Sequence, residues 1–248
     1  SAFRMDPEVP LVVPEVNPQA ILKHKGIIAN PNCSTIIMVM ALKPIYDLAK
    51  IKRVIVSTYQ AVSGAGKEGI DELDAQVRDH SEGREMTANI LPSASAEKHY
   101  PIAFNLIPQI DVFCDNLYTK EEMKMVNETK KIMEDYEMRI TATTIRVPVY
   151  RSHSESVNIE LEKEVDLGAM REALAKFPGV TVQDDPSKQE YPMPLYTSEK
   201  DDVYVGRLRR DESCEKSYNM WVVGDQIRKG AALNTLQIAE TMIKNGWI

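Results

Sequence analysis

Three groups of residues have the types and spacing for covalent chemistry on a small charged molecule. The first is Asn30-Pro31-Asn32-Cys33-Ser34-Thr35, followed by the apolar run from Ile36 to Leu42. A cysteine placed where a helix starts meets unpaired backbone N–H groups and the positive end of the helix dipole, both of which favour the thiolate. On spacing alone a small buried hydrophobe is an equal alternative. The second group is Arg146 and His153, seven apart across a turn that contains Pro148. A guanidinium holds a carboxylate through paired donors, and an imidazole can exchange a proton near neutral pH. The third is Glu121 and Lys124, three apart on one helical face, a spacing that by itself reads as a surface ion pair.

The elements that must position these groups follow from periodicity and punctuation. A short strand over 26–29 leads to Cys33, and a helix over 36–50 is apolar on nearly every side of its first half, with Pro44 expected to kink or divide it. The β-branched residues 52–59 read as a strand running into Ser63-Gly64-Ala65-Gly66, where glycine allows close backbone approach. Residues 67–79 form an amphipathic helix, whereas 80–118, with Pro92, Pro101 and Pro108, carry few periodic stretches. Thr119-Lys120-Glu121-Glu122 is a capping box opening a helix to about 134. Strands are expected over 140–145, 156–161, 180–183, 202–208 and 218–223, with a helix over 167–177 begun by Asp166. A last helix over 226–244, capped by Asp225, has an apolar stripe of Ala232, Leu236, Ala239 and Ile243. The expected fold is α+β, a mixed, largely antiparallel sheet covered by helices.

The words around these residues resemble one family. Asn30 to Thr35, Tyr59-Gln60-Ala61-Val62-Ser63-Gly64-Ala65-Gly66, Phe104 to Asp111, Arg146 to Ser156 and Arg228-Lys229-Gly230-Ala231-Ala232-Leu233-Asn234-Thr235 match, in order and spacing, the aspartate-β-semialdehyde dehydrogenases. The resemblance implies a glyceraldehyde-phosphate-dehydrogenase-like C-terminal domain with remnants of a Rossmann domain: 1–29 from the nucleotide-binding domain, 30–225 for catalysis and dimerisation, and 226–248 a helix returning to the nucleotide domain. It implies NADPH-linked reduction of β-aspartyl phosphate to aspartate semialdehyde, in lysine, threonine and methionine synthesis. Cys33 is then the nucleophile, His153 its acid–base partner and Gln60 an orienting group. Arg146 holds the α-carboxylate, Glu121 the amino group, and Lys124 and Arg4 the phosphate, with Asn32 in the substrate loop. Ser63, Gly64 and Asn234 fall to the nicotinamide side of NADP. Tyr150-Arg151 replaces smaller residues of some relatives.

Composition limits the alternatives. The 248 residues carry 37 acidic and 30 basic side chains, net −7, with no basic stretch interleaved with aromatics, which argues against nucleic acid. Cys33, Cys114 and Cys214 suggest neither a disulfide framework nor a zinc site, so no metal is expected and a reducing cytoplasm fits. No apolar run approaches a membrane span of about 20 residues, and no signal peptide opens the chain. Expected partners are a small substrate, phosphate and further copies of the chain in a homodimer or larger homo-oligomer. No Gly-x-Gly-x-x-Gly follows a strand, so roughly a hundred N-terminal residues of a nucleotide-binding unit are expected to be missing. Two other readings stay open: a different phosphorylating dehydrogenase, such as an N-acetylglutamyl-phosphate reductase, and an inactive dimerisation module.

Overall fold

The computed structural model describes residues 2–248. Its centre is α1 (Cys33–Leu48), packed on one face of a six-stranded sheet. The strands are β1 (Ile51–Gln60), β2 (Arg139–Arg146), β3 (His153–Leu161), β4 (Val180–Val182), β5 (Val203–Arg210) and β6 (Ser217–Gly224), in the order β2-β1-β3-β6-β5-β4. The β1–β2 and β4–β5 pairs are parallel, and β1–β3, β3–β6 and β5–β6 antiparallel. The mixed, largely antiparallel sheet expected from the sequence is therefore present.

The side chains from Ser34 to Leu42 of α1 are all fully buried, which explains a helix apolar on every side. Helix α3 (Lys120–Met133) and α4 (Leu167–Lys176) flank it over the sheet, and a short α5 (Pro194–Thr197) comes between β4 and β5 in the chain. The Thr119 capping box forms as expected, and Asp166 accepts the N–H groups of Gly168 and Ala169 to start α4. Helix α2 (Lys67–Ser81) lies outside this core and covers the irregular residues 82–118 through a second cluster containing Leu73, Leu91, Ile102 and Ile107. Buried Gln76 holds that segment, accepting the Ile102 and Ala103 N–H groups and donating to the Thr87 carbonyl. Among the described residues no helix is long and apolar enough to cross a membrane.

Three expectations change. Pro44 neither ends nor divides α1, which continues to Leu48; burial around the whole helix outweighs the loss of one backbone donor. The strand over 26–29 shrinks to a parallel bridge between Leu11 and Ala29, because prolines 10, 14 and 18 prevent a longer ladder in the facing segment. The last helix does not run from 226. Asp225 caps the turn through the Ile227 and Arg228 N–H groups, a π-helical turn follows over Arg228–Ala232, and α6 is Leu233–Lys244. Its buried face is Asn234, Ile238 and Met242, packed with Val12, Ala20 and Ile21. The stripe of Ala232, Leu236, Ala239 and Ile243 is exposed. The helix carries two apolar stripes, and only the partner segment decides which is covered.

Candidate active site

Cys33 is the first residue of α1. Asn32, as N-cap, accepts the Thr35 N–H at 3.1 Å and so aims the thiol at a cavity of about 680 Å³ where the C-terminal ends of β1 and β2 meet. Arg146, the last residue of β2, lies in register with Gln60, the last of β1. His153 opens β3 on the far side of the same turn, with its ring fully buried. Its Nε2 is 3.6 Å from Cys33 Sγ. Spacing of seven across Pro148 thus brings Arg146 and His153 to one point.

Helix α3 supplies the other wall. Buried Glu121 accepts Asn32 Nδ2 at 2.9 Å and Gln60 Nε2 at 3.3 Å through Oε1, and Lys124 Nζ at 3.1 Å through Oε2. One turn further, buried Glu128 accepts the Asn32 backbone N–H at 2.6 Å and faces Arg4 Nη1 at 3.4 Å, while Arg4 Nε donates to the Asn30 carbonyl. Lys131 then donates to three carbonyls of the segment carrying Arg4, those of Arg4, Asp6 and Val9. One helical face therefore places Glu121 and Lys124 in the cavity and fastens Arg4 beside them.

Burial, with the Glu121 charge second, pushes the Cys33 thiol from its ordinary 9.0 up to about 12, against smaller opposite pulls from Arg146 and Ser34. The expectation of a thiolate stabilised by the helix N-terminus is corrected: desolvation and a neighbouring carboxylate outweigh the dipole, and the resting group is a thiol. Burial and the Arg146 charge hold His153 well below its ordinary value, so its ring is neutral. The Ala61 N–H donates to His153 Nδ1 at 3.0 Å. That bond assigns the ring proton to Nε2, the nitrogen facing sulfur. The acid–base role expected of His153 thereby narrows to that of a hydrogen-bond donor in the resting ring.

Of the residues singled out in the sequence, Arg4, Asn32, Cys33, Gln60 and Ser63 line the cavity, as do Gly64, Glu121, Lys124 and Arg146. Gly64 is required by close approach: a Cβ there would stand 2.7 Å from Arg146 Nη1 and 3.2 Å from His153 Cε1. Asn234 does not reach the cavity. It is fully buried, donating to the Val12 carbonyl and Asn30 Oδ1 and accepting Lys229 Nζ at 3.2 Å. Packing of α6 on the 12–21 segment turns this side chain inward, where it ties Val12, Asn30 and Lys229 together. Arg151 finds its partner in buried Asp225, Nε lying 2.6 Å from Oδ2, which ties the entry of β3 to the cap of the C-terminal turn. Gln226 accepts the Ser152 N–H and donates to Ser63 Oγ. Sequence reasoning missed Gln226 and Glu128, although Glu128 lies seven after Glu121 and so on its face of α3. Among the described residues no group of three or more His, Cys, Asp or Glu is placed to hold a metal.

Comparison with known proteins gives one consistent neighbourhood. Residues 42–229 match the family described as semialdehyde dehydrogenase, dimerisation domain. The chain is 56% identical to the aspartate-semialdehyde dehydrogenase of Aquifex aeolicus over 250 residues, covering 100% of the chain and 72% of that protein. It is 53% identical to the Bacillus subtilis protein of the same name, covering 98% of the chain and 71% of that relative. Among solved structures, aspartate semialdehyde dehydrogenase II from Vibrio cholerae complexed with ASA superimposes with a TM-score of 0.91 at 46% identity, covering 98% of the chain and 70% of its own. The Candida albicans aspartate semialdehyde dehydrogenase with NADP gives a TM-score of 0.74 at 25% identity, over 100% of the chain and 70% of its own.

Proposed function

The chain belongs to the aspartate-semialdehyde dehydrogenase family, and from that premise we infer that its cavity takes β-aspartyl phosphate toward aspartate semialdehyde through an acyl group carried on Cys33. Arg146 takes the α-carboxylate. Its Nη1 is committed to the Ala61 carbonyl at 2.7 Å, while its buried Nε has no acceptor among the described residues. Glu121 takes the amino group, and Lys124 and Arg4 take the phosphate.

Sulfur attacks the acyl carbon, the bond from that carbon to the phosphate oxygen breaks, and the thiol proton leaves with the phosphate. This balance needs no resting thiolate, in keeping with a thiol raised to about 12. His153 donates Nε2–H toward the charge that develops on the reacting atoms, and Gln60 orients them. Splitting the displacement through a thioester replaces one difficult step with two easier ones.

NADPH, when bound, supplies the hydride that reduces the acyl group. A flat ring has room in the cavity of about 680 Å³ beside Cys33, along the wall lined by Ser63, Gly64 and Ala231. Ser63 and Gly64 would hold the nicotinamide side, with Asn234 acting at a distance through Asn30. In this reading 1–29 belongs with a nucleotide-binding domain, 30–225 forms the catalytic and dimerisation domain, and 226–248 carries the helix that packs on the nucleotide domain. The chain works as a homodimer or larger homo-oligomer in the cytoplasm.

The observation that carries the reading is the 3.6 Å contact of buried His153 with Cys33, which lines a cavity walled by Arg146 and Glu121. The test is phosphate release from β-aspartyl phosphate without cofactor. A burst of about one phosphate per chain, absent in Cys33→Ser, supports it; the same release from Cys33→Ser rejects it.

A further inference from the structure

Each cation of the cavity already faces a carboxylate. Arg4 is set against Glu128 and Arg146 feels the Glu121 charge, while Lys124 lies between two acids, with Nζ 3.1 Å from Glu121 Oε2 and 2.9 Å from Asp111 Oδ2. Glu121 is committed to Asn32 and Gln60 as well. Asp111 has no such duty in the reading above, yet it lines the same cavity.

Its placement is built rather than incidental. Asp111 has φ 69°, a left-handed backbone that aspartate and asparagine tolerate better than most residues. Oδ1 accepts the Val112 N–H at 2.8 Å, which leaves Oδ2 for the lysine. Gln109 Nε2 donates to the Asp111 carbonyl, and the Lys120 N–H donates to the Val112 carbonyl, fixing this loop to the first turn of α3. Burial acts to raise the Asp111 carboxyl, but the bond from Lys124, the Val112 N–H and the nearby lysine charges outweigh it and hold the group below its ordinary value. Burial acts to lower Lys124, and Glu121 and Asp111 outweigh that too.

We propose that Asp111 occupies, on Lys124 Nζ, the place that a phosphate oxygen of the ligand takes, so that anion binding proceeds by exchange of Asp111 for phosphate. The carboxylate keeps the lysine extended into the cavity when no anion is bound. It also lowers the affinity for phosphate, because the ammonium lost by a departing phosphate is recovered at once by Asp111. Asp111 is thus a positioning residue that sets anion affinity through Lys124. The proposal rests on Lys124 being an anion-binding residue, as inferred above.

The test is calorimetric titration of inorganic phosphate into the 248-residue chain and three variants. Asp111→Asn keeps an acceptor for the Val112 N–H and a residue suited to the left-handed backbone while removing the charge. Asp111→Ser also keeps an acceptor, and Lys124→Ala removes the cation. The expected result is phosphate binding about fivefold tighter in Asp111→Asn, the size of a partly exposed charge pair, with a change in the same direction in Asp111→Ser and loss of binding in Lys124→Ala. A merely structural role for Asp111 predicts unchanged or weaker binding in both Asp111 variants; that result, with Lys124→Ala still losing phosphate, overturns the proposal and leaves the anion site standing. Undiminished binding by Lys124→Ala rejects the anion site itself, and the role of Asp111 with it.

Discussion

Replacing Glu121 by glutamine should make Cys33 more reactive, although it removes a group assigned to the substrate. The thiol stands at about 12 against an ordinary 9.0, with burial the larger upward cause, Glu121 the second, and Arg146 and Ser34 opposing. Loss of one nearby like charge is typically worth on the order of 1.4 kcal/mol, a factor of about ten in the thiolate fraction. Glutamine keeps an oxygen for Asn32 Nδ2 and Gln60 Nε2, so the loop stays in place while the charge goes. Near pH 8, well below the pKa of either form, Glu121→Gln then holds about tenfold more thiolate. Each thiolate is then about threefold less nucleophilic at a Brønsted slope of about 0.45, so the net gain in alkylation rate is about threefold. The assay is iodoacetamide labelling followed by peptide mass mapping, with exposed Cys214 as the internal standard. Unchanged or slower labelling of Cys33 in Glu121→Gln, with Cys214 unaltered, would refute the electrostatic account of the resting thiol.

Three more perturbations separate the parts of the site. His153→Gln retains an N–H donor near sulfur and His153→Ala does not, so the phosphate burst should fall further in the alanine variant, by about 10²-fold against wild type; equal losses would contradict the donor role. Gly64→Ala puts a Cβ 2.7 Å from Arg146 Nη1, and displacement of that guanidinium should weaken binding of the substrate carboxylate about tenfold while Tm changes little; unaltered binding would show that Arg146 has room to yield. Glu155 is fully buried on β3, neither carboxyl oxygen has a partner among the described residues, and burial raises its pKa well above the ordinary value. Below the unfolded pKa, about 4.3, both states hold the proton. Above it the unfolded chain releases the proton first, so stability declines as pH rises toward the folded pKa. Tm between about pH 5 and pH 8 should therefore fall more in wild type than in Glu155→Gln, and parallel profiles would contradict this.

The loop before Cys33 and the elements around it were legible in the sequence because each local signal there has one solution. Asn32 before Cys33 caps a helix, Thr119 with Glu122 closes a capping box, and the β-branched stretches before Gln60 and Arg146 form half-buried strands. Long-range electrostatics was not legible. The helix N-terminus at Cys33 argued for a thiolate, while the carboxylate that opposes it comes from Glu121, 88 residues away in sequence and adjacent in space. The proton position on His153 depends on the Ala61 N–H, a backbone group that no motif marks. Phase was lost at the C-terminus for a similar reason. Nothing local to 226–248 distinguishes Leu236 from Ile238, and the choice lies in the 12–21 segment that receives α6. Arg151 stood out as a departure, and Asp225, its partner, is reached only once β3 and the end of β6 are side by side.

The central claim is that Cys33 carries the acyl group, and it is tested most directly by mapping the chain after brief exposure to β-aspartyl phosphate and acid quench. The account predicts one aspartyl adduct, on the peptide containing Cys33, absent after prior alkylation of that thiol and reduced in Arg146→Lys. An adduct spread over Cys33, Cys114 and Cys214 alike, or none on Cys33 while phosphate is still released, would contradict it.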